Sequence, residues 1–355
     1  MLAPALRARY GLSLTQVGVV LAAPNVGAIP TLYVWGIAAD RLGERFVIAV
    51  GLLGSAAAIV AAAYMHSFWP LTGCILVAGG VGAAVNSASG RAVLHWFESH
   101  ERGTALGIRQ TAVPIGGAWT SFLLPALVVR DDPRSAVIAL AAALAAGALA
   151  GLAVLREGPV EAEPARGAAL PHRDRAMWVL SLGSSLVIAP QVCVVGFLVL
   201  FLHAHRGLST AAAGVVLGVV NLLGIAGRIG AGRWSDVVGS RLRPFRLIAL
   251  ACAVLLGVAT VLLSAPLWAL VPVLVAASVL AISWNGLSFT AAAEAAGHAR
   301  SGTALGLQQT VLAVAGAVYP IAFAALVAGS SWRAGFALVA FLPLAGWRLL
   351  ASVPG

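Results

Sequence analysis

Long apolar runs, broken by short polar loops, set the pattern of this chain. A helix that crosses a bilayer needs roughly 20 apolar residues. Eleven runs approach or exceed that length. In the first half they are 14–37, 46–66, 70–96, 103–127 and 134–156. In the second they are 176–203, 210–234, 245–264, 268–294, 302–327 and 332–352. The single long polar stretch runs from Glu157 to Arg175, with Pro159, Pro164 and Pro171 inside it. It predicts a helical region 1–156, a linker 157–175 and a second helical region 176–355.

The two regions repeat each other. Gly11-Leu12-Ser13 recurs as Gly207-Leu208-Ser209, Asn25 as Asn221, Gly36 as Gly232, Asp40 as Asp236, Gly43 as Gly239 and Arg45 as Arg241. Each pair is 196 positions apart (236 − 40 = 196). Asn86 recurs as Asn285, and Gly103-Thr104-Ala105-Leu106-Gly107 as Gly302-Thr303-Ala304-Leu305-Gly306, now 199 apart (302 − 103 = 199). Two similar apolar halves predict two pseudo-symmetric helical bundles with a path between them. The eleven helices divide five and six. The unmatched one is 176–203, whose counterpart would precede residue 1. The expectation is that the opening helix of the first bundle is absent from this sequence, a misplaced start being the simplest cause.

Composition agrees with a lipid solvent. Of 355 residues 61% are hydrophobic and 10% charged, and mean hydropathy is +0.97. Soluble domains carry about 25% charged residues. The net charge of +10 is spread over short loops, which fits membrane topology and gives no nucleic-acid patch. All 22 basic residues are arginine. Without lysine there is no Walker A phosphate loop and no Schiff base. Cys74, Cys193 and Cys252 lie far apart in apolar segments and read as small buried hydrophobes. No metal spacing, nucleophile triad or paired acid and base appears, so no cofactor and no enzymatic activity are expected.

Arginine counts set the orientation. One set of loops holds Arg41, Arg45, Arg102, Arg156, Arg166, Arg173, Arg175, Arg233, Arg241, Arg243, Arg246, Arg300 and Arg348. The opposite set holds Arg7, Arg9, Arg130, Arg134, Arg206 and Arg333. Thirteen against six puts the first set and the linker in the cytoplasm, with the protein in the plasma membrane.

The first predicted helix closes on Gly36-Ile37-Ala38-Ala39-Asp40-Arg41-Leu42-Gly43-Glu44-Arg45. Gly232-Arg233-Trp234-Ser235-Asp236-Val237-Val238-Gly239-Ser240-Arg241 does so in the second half. Gly36 permits close helix approach, and Gly43 a tight turn. Asp40 sits at a helix C-terminus, where the macrodipole disfavours an anion. It therefore needs a cation or the N-terminus of another helix, and such a bond could latch two bundles together. The loop matches the G-x-x-x-D-R-x-G-x-R signature, and the chain resembles the major facilitator superfamily over essentially its whole length. Glu44 departs from the basic residue often found there. The resemblance implies an all-α, polytopic membrane protein of two six-helix bundles, here with eleven helices, that works by alternating access. It also implies a latch role for Asp40, with Gly36, Arg41, Gly43, Arg45, Gly232, Asp236 and Arg241.

Residues present in one half alone are candidates for specific work. Arg109 faces Gln308 in the repeat, Arg91 faces Thr290, Arg228 faces Leu32, and Glu294 faces His95. Intramembrane charge is expensive and points to function. Arg109 lies roughly 9 Å inside the cytoplasmic edge of a ~30 Å core. Three roles stand open: a gate in which Glu294 pairs with Arg91 or Arg109, an anion site at Arg109 or Arg228, or side chains that snorkel to the interface. Elsewhere Asn25, Gln110, Trp119, Gln191, Asn221, Trp284, Gln309 and Tyr319 are cavity candidates. No acid lies at mid-depth, which leaves proton coupling open. Gly107, Pro114, Gly116 and Gly117 match the antiporter motif of the family poorly. The expected function is secondary transport of a small solute, favoured as a small organic or inorganic anion, with a coupling ion possible. The protein is expected to act as a monomer in the lipid bilayer. Export of amphipathic compounds, or a non-transporting sensor or inactive copy, are the alternatives.

Overall fold

The computed structural model describes residues 9–117, 127, 134–156 and 170–353. Among these, every regular element is helical. In the first half these are α1 (Leu14–Leu42), α2 (Glu44–Ala63), α3 (Phe68–Gly82), α4 (Ala84–Trp96), α5 (Arg102–Gln110) and α6 (Arg134–Val154). In the second they are α7 (Arg175–Val187), α8 (Gly196–Leu200), α9 (Thr210–Val238), α10 (Leu242–Val261), α11 (Leu267–Ser283), α12 (Asn285–Ala296), α13 (Ser301–Gly329) and α14 (Trp332–Leu350). Ten helical stretches of the described residues are long and apolar enough to cross a membrane. The eleventh expected span, 103–127, starts as α5 and continues helically over 112–117 before leaving the described residues. Most of the linker 157–175 also lies outside them.

The repeated residues have visible work at helix ends. Gly11 and Gly207 both take positive φ, 62° and 72°, in the turn before a long helix. Ser13 then caps α1, accepting from the Gln16 N–H at 3.2 Å while its own N–H donates to Gln16 Oε1 at 2.9 Å. Ser209 caps α9 through the Ala212 N–H. Such caps satisfy amides that have no partner within the helix. Both helices stop at a glycine of positive φ, Gly43 (83°) and Gly239 (66°).

Several expected spans are interrupted. The run 70–96 breaks at Ala83, between α3 and α4 and three residues before Asn86, and 268–294 breaks at Trp284, between α11 and α12 and directly before Asn285. The run 176–203 contains two π-turns, Gln191–Val195 and Phe201–His205, flanking α8. Pro190 precedes the first of these. Its ring has no N–H to give and crowds the preceding turn.

Two compact units emerge. The first holds residues 1–96, 113–171 and 296–310, where α1 packs on α3 and α2 on α3 and α6. Trp35 and Thr31 both donate to the Gly80 carbonyl at 2.8 Å, tying α1 to α3. The second holds 97–112, 172–295 and 311–355, where α10 packs on α14 and α11, and α9 on α5 and α11. Its core is mostly aliphatic, with Trp332 and Phe336 each in ring contact with both Phe201 and Phe323. The short segments 97–112 and 296–310, each grouped apart from its sequence neighbours, are where the candidate site forms.

Candidate functional site

Asp40 ends α1 with its carboxylate on the first turn of α13. Oδ1 accepts the Gly302 N–H at 2.8 Å, and Oδ2 accepts the Thr303 N–H at 2.7 Å and hydroxyl at 2.6 Å. Asp236 repeats this at the start of α5. Oδ1 accepts the Gly103 N–H at 2.9 Å, and Oδ2 accepts the Thr104 N–H at 2.7 Å and hydroxyl at 2.6 Å. Each carboxylate satisfies amides left without a partner by a helix start and meets the positive end of that helix dipole. Each aspartate belongs to one sequence repeat and each capped helix to the other.

Glycines make this approach possible. A Cβ added at Gly36 would lie 2.3 Å from the Gly302 carbonyl oxygen, and one at Gly232 2.2 Å from that of Gly103. The backbones touch where the carboxylates reach across.

An arginine joins each cap. Arg91 on α4 places Nε 3.3 Å from Asp40 Oδ1 and also pairs with Glu44. Arg241 donates to Asp236, to Ser235 Oγ at 2.9 Å and to the Ser99 carbonyl. It binds Glu294 at 3.1 Å as well. Burial works against the Arg241 charge, yet hydrogen bonds to Glu294 and Asp236 outweigh it and hold the guanidinium above its ordinary range. Glu294 lies 4.0 Å from Arg102. In this structure Glu294 pairs with Arg241 and Arg102, while Arg91 pairs with Asp40 and Glu44.

The remaining motif residues are peripheral. Arg41 is exposed, and exposed Arg45 donates to the Leu152 carbonyl at 2.5 Å. Arg228 is buried and bonds carbonyl oxygens, Ile282 at 2.9 Å and Gln110 at 3.3 Å. Arg109 donates to Gln110 Oε1 at 2.8 Å, so two guanidinia meet at Gln110. Gln191 sits in the first π-turn, half-buried, with Oε1 lacking a hydrogen bond. Tyr319 bonds Ser185. Gln309 is half-buried with Nε2 unbonded. Asn25 and Asn221 are exposed on their helices, Asn221 bonding the Leu217 carbonyl. Trp284 is not a cavity residue: it is wholly buried and stacked on Phe245 at 5.3 Å, with Nε1 bonded to the Ala281 carbonyl. Trp119 lies outside the described residues.

Sequence reasoning missed half of the site. The Gly-Thr pairs at 103–104 and 302–303 looked like shared scaffold, although they lie in the longest exact repeat. Glu44, judged a departure from a motif, is wholly buried against Arg91 and His95. Among the described residues no group of three or more His, Cys, Asp or Glu could hold a metal ion.

Membrane-length helices, an internal repeat and a twice-built helix cap define a multi-pass membrane protein of duplicated design. The model of the Major Facilitator Superfamily matches residues 1–320. An uncharacterized MFS-type transporter of Mycobacterium tuberculosis is 37% identical over 355 residues, covering 98% of this chain and 79% of that protein. A probable sulfoacetate transporter of Cupriavidus necator is 26% identical, covering 92% and 81%. The crystal structure of the transporter FucP in the outward conformation superposes with a TM-score of 0.81 at 13% identity, covering 99% and 93%. This chain belongs to the major facilitator superfamily, a family of membrane transporters.

Proposed function

We propose that this protein carries a small organic or inorganic anion across the plasma membrane by alternating access. The observation that carries the substrate class is Arg228. Its guanidinium lies within a helix of membrane-spanning length and is buried, and its hydrogen bonds go to two carbonyl oxygens. No carboxylate of the described residues comes within ion-pair distance of it. A buried cation held by neutral dipoles keeps its charge for a mobile anion. Arg109, joined to it through Gln110, adds a second positive group. The sulfoacetate named for the C. necator relative is an anion, which supports the same reading.

The two carboxylate caps act as the latch of the cycle, with the linker 157–175 in the cytoplasm. Each cap ties a helix end of one repeat to a helix start of the other, so exposing the opposite side requires both to release. Amides freed in this way can bond water, which keeps the exchange near balance.

Proteoliposome counterflow tests the substrate class. Sulfoacetate, glycerol 3-phosphate and inorganic phosphate are offered against fucose and a cationic amine. Anion exchange in the wild type, lost at least about tenfold in a folded Arg228→Gln variant, is expected, since one buried hydrogen-bonded charge contributes about 1.5–3 kcal/mol. Flux of the neutral or cationic solute alone would overturn the assignment.

A further inference from the structure

The second unit keeps its charges of opposite sign apart. Its acidic residues are Glu98, Glu101, Asp174, Asp236 and Glu294, and all sit at the end that carries the Asp236 cap. Asp236 lies in the last turn of α9, a helix of 29 residues. The start of α9 is therefore roughly 43 Å away. At that far end stand Arg206, just before α9, and Arg333, in the first turn of α14. Neither forms an ion pair with a carboxylate of the described residues. An arginine in a first helical turn also opposes the helix dipole.

Both guanidinia close on one turn. Arg206 Nη2 donates to the Ala265 carbonyl at 2.5 Å, and Arg333 Nη2 to Ser264 Oγ at 3.3 Å. These acceptors belong to consecutive residues, whose Cα atoms are about 3.8 Å apart. The same turn opens α11. Pro266 holds the N-cap position with no side-chain hydrogen bond, and no acid stands in the first turn. The Leu267 and Trp268 amides have no acceptor among the described residues. Bonding starts with the Ala269 N–H, which donates to the Pro266 carbonyl at 3.0 Å. Unbonded amides at a helix start carry the positive end of its dipole. Two arginines and an uncapped helix start thus meet at one turn with no negative group to balance them.

We infer that Arg206, Arg333 and the start of α11 bind the phosphate of an anionic phospholipid, in the leaflet opposite the Asp236 cap. Arg206 Nε is buried without a hydrogen bond, so the terminal guanidinium nitrogens and the two amides meet the oxyanion. Lipid, rather than a dissolved anion, fits the surroundings. Val261 and Trp268 flank the turn and are 76% and 80% exposed. On a helix of membrane-spanning length such apolar surface lies in lipid, and tryptophan favours the interface. Acyl chains then run along the ends of α10 and α11. A zwitterionic headgroup brings a cation that both arginines repel, so the site selects a headgroup of net negative charge. The inference is independent of which solute the carrier moves.

Native mass spectrometry of the full chain in detergent tests it, with phosphatidylglycerol, phosphatidylcholine or inorganic phosphate added in turn. In a variant carrying both Arg206→Gln and Arg333→Gln, the count of tightly bound phosphatidylglycerol should fall by one. That molecule should bind at least about tenfold more weakly, the loss of one charge-assisted hydrogen bond, while phosphatidylcholine binding stays as it was. Lysine at both positions keeps the charges and should restore most of the binding. Arg243→Gln, exposed at the other end of α10, should change nothing. An unchanged count in the glutamine variant would overturn the inference. So would an equal loss of phosphatidylcholine, which marks a merely structural role, or inorganic phosphate binding as tightly as the lipid, which marks a site for free anions.

Discussion

A single methyl group at Gly232 should open the second cap. Built on the backbone, the new Cβ lies 2.2 Å from the Gly103 carbonyl oxygen and 2.6 Å from its carbon. Real Cβ contacts essentially never fall under 3.0 Å, so α9 and the start of α5 must part by at least 0.8 Å (3.0 − 2.2). Both neighbours are backbone, and no side chain can swing aside. The Asp236 bonds to the Gly103 and Thr104 amides are 2.9 and 2.7 Å. If the displacement falls along them they stretch to 3.7 and 3.5 Å (2.9 + 0.8; 2.7 + 0.8), where a hydrogen bond has lapsed. Overpacking of this kind costs about 1–3 kcal/mol, which is about 5- to 150-fold in the population of the capped state. Hydrogen exchange of a peptide covering Gly103–Leu106 reads that population directly. Gly232→Ala should raise its exchange by that factor. Gly230→Ala, on the same helix with nothing within 4 Å of its added Cβ, should leave it unchanged. Equal exchange in both variants, or no rise in either, would refute the view that backbone contact sets the cap.

Two further outcomes follow from burial. Glu44→Leu removes one of the two carboxylates beside the buried Arg91, Asp40 remaining 3.3 Å away, and should lower thermal stability by the equivalent of about 1.5–3 kcal/mol. The double change Glu44→Leu with Arg91→Met should recover part of that loss, and a double variant less stable than the single one would contradict the pairing. Cys193 and Cys252 are each 1% exposed while Cys74 is partly accessible. A maleimide should therefore label Cys74 alone in the folded protein and all three thiols after denaturation, as gel shift would show.

The legible part of this protein is what repeats or runs long. Apolar runs near twenty residues gave most of the helices, because length and hydropathy alone decide whether a segment crosses a bilayer. The recurrence of Gly11-Leu12-Ser13 and of the Asp40 loop marked the helix starts and stops, which are local chemistry: a positive φ, a hydroxyl cap, a glycine stop. Interruptions were harder to see. The breaks before Asn86 and Asn285 lie inside uninterrupted apolar runs, where composition cannot tell a kink from a continuous helix. Trp284 looked like a cavity ring because its partner Phe245 is far away in sequence.

The sequence by itself determined a duplicated, lipid-embedded helical chain and showed that Asp40 and Asp236 needed positive partners. Tertiary structure alone decided which partners. Gly302 and Thr303 are 262 and 263 residues from Asp40, and no local pattern reaches that far. It also decided that Arg91 serves Asp40 while Arg241 serves Asp236. An arginine is charged wherever it lies, and only the packing of the helices fixes which carboxylate it can touch.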